Sequence, residues 1–569
     1  MYFNNEGINE VTYDAIVVGS GISGGWAAKE LCEKGLKTLV LERGRDVKHG
    51  DYPTANLEKW ELPNWDKISL EDRKKYPVQG RTDYIMNYSN IHWLIEDAEQ
   101  PYTEVKPFDW TRGFQVGGKS LIWGRHSYRW SEMDFEANGK DGIGIDWPFR
   151  YNDIAPWYDY VESFAGISGK NEGCVQLPDG KFLPEIPLNC VESDFKERLS
   201  QNLNNRLVTN ARIANLTAQL PGSTRGTCQY RSRCVRGCPY GAYFSSNAST
   251  LPAAYDTGNL TMRPHSVVHS LIYDKESGNA KGVRIIDAKT KETKEFFAKI
   301  IFLNAGALNT TLIMLNSTSD RFPDGFGNDS GELGHNLMDH HFRIGASASV
   351  DGFLDKYVKG RKPAGFYIPR FRNIDVASKQ KDYVRGYGYQ GGASREGWSR
   401  AIKELGVGAD WKEQWSNPGG WTIGMTAFGE CLPYHENKVS LNFDKLDPYG
   451  MPTLNIDCEW KENELNMRKD MQLAAAEMFE AAGYKNVNSW DSGSNPGLAI
   501  HEMGTARMGN NPKTSVLNAW NQVHACKNVF VTDGACMTSS ACQNPSLTYM
   551  AITARAADHA VKELNKQNL

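Results

Sequence analysis

The sequence predicts an α/β fold: a Rossmann-like dinucleotide-binding domain with an inserted α+β lobe. Three observations predict it. Residues Tyr13 to Glu42 read as strand, glycine turn, helix and strand, with DAIVVG and KTLVLE as buried apolar runs flanking a segment of helical spacing that reaches Lys34. Far downstream, NVFVTDGA from Asn528 is another strand-like run, followed by the amphipathic helix of SLTYMAITARAADHAVKEL. Finally, 569 residues exceed the roughly 250–300 that one hydrophobic core serves, so two lobes with a cleft are expected.

The opening βαβ unit and the closing strand–helix pair place both chain ends in one discontinuous domain, residues 11–349 and 489–569. Residues 350–488 between them are richer in Trp, Gly and charged residues and lack a second βαβ signature, as expected of a substrate-binding lobe over the cleft. Repeats, heptads and low-complexity tracts are absent.

Composition narrows the function. A net charge of −4 gives no electrostatic basis for nucleic-acid binding, which rests on clustered cations neutralising phosphates. No apolar stretch approaches the roughly 20 residues of a membrane span. Sixteen Trp and 25 Tyr suit either core packing or the apolar faces of sugars, with Trp123 and Trp421 as stacking candidates. Residues Met1 to Thr12 lack the basic and apolar regions of an export signal, so the expected location is cytoplasmic, or periplasmic if a signal-bearing partner carries the folded chain. Eleven Cys, an odd number spread along a long chain, argue for reduced thiols or metal ligands over a disulfide framework.

Gly19, Gly21 and Gly24 form GxGxxG directly after a strand and at a helix start. There the bare backbone can approach a pyrophosphate and the helix N-terminus attracts its charge. Glu42 ends the next strand, placed to accept hydrogen bonds from a ribose. The motif alone does not separate FAD from NAD.

Four further segments bear on that choice: GGKSLIWG (Gly117 to Gly124), HEMGTARMG (His501 to Gly509), FVTDGA (Phe530 to Ala535) and NPSLTYMAITARAAD (Asn544 to Asp558). With the first glycine turn, and in this order, they resemble the glucose–methanol–choline (GMC) oxidoreductase family over nearly the whole chain. The resemblance implies a GMC-type FAD-binding domain with an inserted substrate-binding domain. FAD would be held by Gly19, Gly21, Gly24 and Glu42, by the turn with Gly117, Gly118 and Ser120, by Asp533 and Gly534, and by backbone at Val268 near the adenine. Some relatives attach FAD through a histidine just before the tryptophan of the GGKSLIWG-like segment; here that residue is Ile122, which implies noncovalent FAD.

Flavin-dependent alcohol oxidation needs a base for the hydroxyl proton and a donor to the developing alkoxide, while the hydride passes to the flavin ring, at N5. His501 stands where the family keeps its catalytic histidine, and Asn544 where it keeps a second His or an Asn. Asn544 can donate a hydrogen bond but cannot take a proton, so His501 is the expected base. His340 and His341, in NLMDHH, are candidates for the pocket or for buried structural roles.

Cys228, Cys234 and Cys238 form C-x5-C-x3-C ending in Cys-Pro, with Arg231 where a fourth ligand would fall. The spacing fits a [3Fe–4S] cluster; a zinc site, which wants a fourth ligand, and three inert thiols remain open. The same spacing resembles catalytic subunits of bacterial sugar dehydrogenases in the family. Glucoside 3-dehydrogenases share GAYFSS, LPAA and GELGHNLMDHH. That resemblance implies a sugar or glycoside substrate oxidised at a secondary hydroxyl, C3, with electrons leaving through the cluster. It also implies a small subunit and a cytochrome-type acceptor as partners. An oxygen-using oxidase, a flavin-bearing lyase and a noncatalytic binding protein on the same scaffold are the competing readings. The retained His501 and Asn544 speak against the last two.

Overall fold

The computed structural model describes residues 12–82, 84–203, 205–356, 363–397, 406–416 and 418–569. Residues 1–11, which carry the reading of a missing export signal and the expected domain start at residue 11, lie outside them.

The first sheet grows from the opening strand, Thr12–Val18. It pairs in parallel with Thr38–Leu41 on one side and Thr293–Leu303 on the other; Leu260–Arg263 and Cys526–Val531 extend the parallel array outward. Val529, Ile301, Ile16 and Leu39 stand in one row across four strands, each fully buried. Burying such a side chain contributes about 1.5–3 kcal/mol, which is why these strands read as unbroken apolar runs and not as alternating ones. A hairpin, Ser266–Asp274 with Asn279–Asp287, adds antiparallel to Thr293–Leu303.

Helix Ile22–Glu33 packs against the last helix, Ser546–Asn565. Small residues, Ala27 and Ala28 against Ala556, Ala557 and Ala560, line their shared core and allow the close approach. Both ends of the chain thereby meet beside the same sheet.

The second sheet is antiparallel throughout, in the order Lys485–Asp491, His341–Val350, Trp421–Gly429, Tyr387–Arg395, Phe366–Ile368 and Thr209–Asn210. Helices Cys190–Asn202 and Glu462–Ala481 cover one face, sharing a core with Trp421, Ile423, Met425, Ala427 and Tyr389. Alternation sends Gln390 and Phe428 to the other face, toward the cleft. This lobe therefore draws Cys190–Asn202 and Thr209–Asn210 from far upstream. Within the stretch 350–488, Lys438–Leu446 and Pro452–Asp457 instead form a small sheet with Thr103–Glu104 that packs on helix Ala307–Asn316 of the nucleotide side. Among the described residues no helix is long and apolar enough to cross a membrane.

The three glycines of the first turn differ in what they protect. At Gly19 (φ +95°) a Cβ would lie 2.3 Å from the Asn304 carbonyl oxygen, and at Gly24 it would lie 2.0 Å from that of Gly19; at Gly21 it would meet nothing within 4 Å. Gly24→Ala should therefore lower the thermal midpoint of the FAD-free protein, at a cost of about 1–3 kcal/mol from overpacking. Gly21→Ala should leave that midpoint unchanged and weaken FAD retention roughly tenfold, the loss of about 1.4 kcal/mol of contact. Thermal unfolding and FAD titration of both variants check the contrast.

Candidate active site

A continuous cleft runs between the two lobes from the first glycine turn to His501 and Asn544. At its nucleotide end the helix Ile22–Glu33 starts at Gly21 with no side-chain cap, so its first amides remain available to an anion. The Glu42 carboxylate accepts from Ser20 N (3.1 Å), Ser20 Oγ (2.6 Å) and Gly44 N (2.9 Å), and burial pushes its carboxyl above the ordinary range. Ser20 Oγ also accepts from Gly117 N at 2.9 Å, tying the two glycine turns together.

Gly117 and Gly118 both have positive φ; a Cβ on Gly117 would strike Asn247 Oδ1 at 1.6 Å, and one on Gly118 would lie 3.2 Å from Gly21 Cα. Ser120 Oγ donates to the Gly117 carbonyl (2.5 Å) and accepts from Ser246 N (3.0 Å). Asp533 accepts from Gly306 N (2.9 Å), Thr310 Oγ1 (2.6 Å) and Ala535 N (3.0 Å), and burial raises its pKa to about 6. Gly534 sits where a Cβ would meet the Glu502 carbonyl oxygen at 2.2 Å. Val268 lines the same cleft from the strand Ser266–Asp274. All ten expected cofactor positions belong to this one region, and its open amides, bare glycines and carboxylate suit a dinucleotide.

At the other end, His501 follows Ile500, whose φ of +60° turns the chain sharply. The buried carboxylate of Asp339 holds this turn, accepting from Gly497 N (2.7 Å), Ala499 N (3.3 Å) and His501 N (3.0 Å). Burial first, and then neighbouring Glu502, raise the Asp339 pKa to about 7.

The ring hydrogen bonds fix the tautomers. His340 Nε2 lies 3.1 Å from the Ser540 carbonyl, which can only accept, so that nitrogen carries the proton. His340 Nδ1 is then an acceptor, and His501 Nδ1, 2.9 Å away, must be its donor. This leaves the His501 Nε2 lone pair facing the cleft, 3.4 Å from Asn544 Nδ2. Burial lowers His340 to about 4, and burial, reinforced by His340, Lys119 and His126, holds His501 well below 6.5. Both rings are neutral near pH 7. His501 and Asn544, 43 residues apart, thus meet as a proton acceptor and an amide donor.

Tyr84, Trp123, Arg125, His126, Phe342, Gln390 and Phe428 complete this end of the cleft. Phe342 and Phe428 stack with centroids 4.6 Å apart. His126 and Gln390 lie outside every motif the sequence offers, and only the pleat of the inserted sheet turns Gln390 inward. His340 is buried behind His501 and reaches the site through the ring bond between them, whereas His341 points away, 3.3 Å from the Glu430 carbonyl. Trp421 is buried on the helix side of its sheet, away from the cleft.

A family model described as GMC oxidoreductase matches residues 13–342, and a second of the same description matches 433–553. The chain belongs to the GMC oxidoreductase family. It is 28% identical to a 2-methyl-1,2-propanediol dehydrogenase of Mycolicibacterium austroafricanum, covering 96% of this chain and 94% of that one. With the fructose dehydrogenase large subunit of Gluconobacter japonicus it shares 25% identity over 97% and 98% of the two chains. A formate oxidase structure from Aspergillus oryzae, 15% identical, shares its fold with a TM-score of 0.63 over 99% and 100% of the chains. At family level this GMC oxidoreductase uses FAD and acts on CH–OH groups of alcohols or sugars.

In this GMC oxidoreductase the three cysteines lie behind the second glycine turn. Cys228 feels the charge of Cys234 and Cys238, and burial raises its thiol pKa. Arg231 and Arg236 donate to the carbonyls of Ala55 and Leu57, and Arg233 pairs with Glu58. Among the described residues no three His, Cys, Asp or Glu side chains converge as a metal site. The donors suit a thiolate-bound cluster in kind, without being drawn into a ligand shell.

Because His501 is held below its ordinary pKa, protonation removes its lone pair only at lower pH than for a free imidazole. Substrate-limited turnover should stay level from pH 8 down to about 6 and fall only in more acidic buffer. A rate already halved at pH 6.5 in a steady-state pH series contradicts this assignment.

Proposed function

We propose that the protein is an FAD-dependent dehydrogenase oxidising a secondary hydroxyl of a sugar or glycoside, C3 in the leading case. The observation that carries the reading is the neutral His501 Nε2 facing the cleft beside the Asn544 amide. An alcohol oxygen between them gives its proton to His501 Nε2 and accepts a hydrogen bond from Asn544 Nδ2, so the alkoxide develops against a fixed donor. The imidazolium that forms is steadied by its Nδ1–H bond to His340. When bound, FAD supplies the acceptor for the hydride leaving the same carbon. C–OH becomes C=O, with two electrons and one proton to the cofactor and one proton to His501.

The sugar assignment is supported by the wall opposite the pair, where Trp123, Phe342 and Phe428 offer apolar faces and Arg125, His126 and Gln390 offer polar groups. It is supported too by the carbohydrate named for the Gluconobacter relative. Ile122, which lines the cleft, offers no nitrogen to the cofactor and supports noncovalent FAD.

Cys228, Cys234 and Cys238 would hold a [3Fe–4S] cluster, which when bound would offer electrons a way out to a protein acceptor. Two facts support this: Tyr243, beside Cys234 and Cys238, donates its Oη to the Leu121 carbonyl at the second glycine turn at 2.6 Å, and Arg225, Arg231, Arg233 and Arg236 stand in the same stretch of chain as the three thiols. The relative named as a large subunit supports a smaller partner subunit here; a cytochrome-type acceptor rests on the resemblance of the cysteine spacing alone. The three unconverged thiols favour one second reading, an oxygen-using oxidase without a cluster.

Adding methyl glucoside anaerobically should bleach the flavin bands of the purified protein, and His501→Ala should slow that bleaching about 10²–10⁴-fold with FAD still bound. Intact bands with the glycoside, and bleaching by another alcohol, would replace the substrate while keeping the reaction class. Iron and sulfide analysis should return about three irons per chain. An iron-free protein that reduces oxygen to peroxide at full rate would establish the oxidase.

A further inference from the structure

Asn544 suits its role only in one orientation. Its side chain offers an acceptor oxygen at one end and donors at the other, and only the donors help an alcohol oxygen that is losing its proton. A half-turn of χ2 exchanges them at little steric cost.

Two groups in the site favour the same choice: the His501 Nε2 lone pair faces Nδ2 at 3.4 Å, and Gln390, by the shorter bond, holds the oxygen. Gln390 Nε2 lies 2.6 Å from Asn544 Oδ1, a bond that ties up the oxygen and leaves Nδ2 toward His501 and the cleft. The backbone that carries Gln390 is firmly held. It sits in strand Tyr387–Arg395, paired with Thr426 on one side and Tyr367 on the other, while Tyr389 Oη anchors the adjacent position by donating to the Met471 carbonyl at 2.6 Å. A neutral Gln can donate to the Asn oxygen, whereas a carboxylate at the same place could only accept.

We infer that Gln390, carried by the inserted lobe, is a positioning residue that sets the amide orientation of Asn544 and so couples the two lobes in the reaction. The inference rests on the proposed alcohol oxidation.

Gln390→Glu tests it, because an ionised carboxylate there would draw Asn544 Nδ2 to itself and turn Oδ1 onto His501 Nε2 and the substrate. The expected result near pH 8 is a kcat lowered about 100-fold, a KM within about threefold and an unchanged thermal midpoint. The deficit relative to the wild type at the same pH should shrink in acidic buffer, where the introduced carboxyl is protonated and again donates to Oδ1. His501, His126, His340, Asp339, Glu502, Arg125 and Lys119 are titratable or charged groups facing or backing this centre, and they are common to the wild type and the variant. Gln390→Leu, which removes the anchor without reversing it, should fall in between and show no acid recovery.

A second readout needs no substrate. With ¹⁵N-labelled histidine, the His501 titration should move upward in Gln390→Glu, because Oδ1 in place of Nδ2 favours the protonated ring; it should move less in Gln390→Leu. A Gln390→Glu enzyme with wild-type kcat per flavin and an unmoved His501 titration would overturn the inference. If no alcohol reduces the wild type, the proposed function fails, and the histidine titration still decides the role of Gln390.

Discussion

Direct backbone contact between two glycine turns is the constraint on which the rest of the structure depends. A Cβ on Gly118 would lie 3.2 Å from Gly21 Cα, a tight approach, and Ser20 Oγ bridges Glu42 to Gly117 N. This joins residues almost a hundred positions apart and sets the width of the cleft at its nucleotide end. Three of the parts that line the cleft meet at that junction: the uncapped helix at Gly21, Glu42, and the chain beyond Ser120 that carries Trp123, Arg125 and His126 to the substrate end. The parallel sheet beneath can be rigid because both its faces are covered, and that rigidity lets short loops hold fixed positions.

The proton chemistry proposed for the far end depends on partial desolvation of two imidazoles, His340 buried and His501 half-buried. A buried imidazole is neutral because its cation is poorly solvated, and two neutral imidazoles in line need one end of the pair fixed. The Ser540 carbonyl does this by accepting from His340, and the tautomer of His501 follows two hydrogen bonds away. Asp339 performs the corresponding task for the backbone, gathering three amides of the turn that presents His501. Raised toward neutrality by the same burial, its carboxyl shows that this pocket disfavours charge of either sign. Such a site tolerates a transient imidazolium only because a hydrogen-bond acceptor is already in place.

Much of this was legible in the sequence where function is carried by local pattern. Gly19, Gly21, Gly24 and Glu42 announce themselves because turn, helix start and acid must follow one another at fixed spacing within one βαβ unit. His501 and Asn544 could be named because each sits in a motif, though nothing local indicates that they touch. His340 was visible only as one of two adjacent histidines, since which of them reaches the site depends on the start of strand His341–Val350, and strand ends are weakly encoded. Gln390 left no local signal at all: a single polar residue on a half-buried strand face looks the same whether it meets solvent or a catalytic amide. The second lobe's borrowing of Cys190–Asn202 and Thr209–Asn210 was equally silent, because long-range sheet pairing leaves no trace in periodicity.

The division of labour between the lobes follows from these differences in encoding. The nucleotide lobe would present the cofactor with backbone amides, glycines and one carboxylate, most of them specified locally. The inserted lobe faces the variable part of the reaction, and it contributes by side chains on an antiparallel sheet whose alternate positions can change without altering the fold. Gln390 and Phe428 occupy neighbouring strands of that sheet, one polar and one aromatic, on the face turned to His501. On the proposed reading, substrate choice and the orientation of Asn544 are set from the same surface, so a substitution that reshapes the substrate end of the cleft from this sheet would also act on the chemical step.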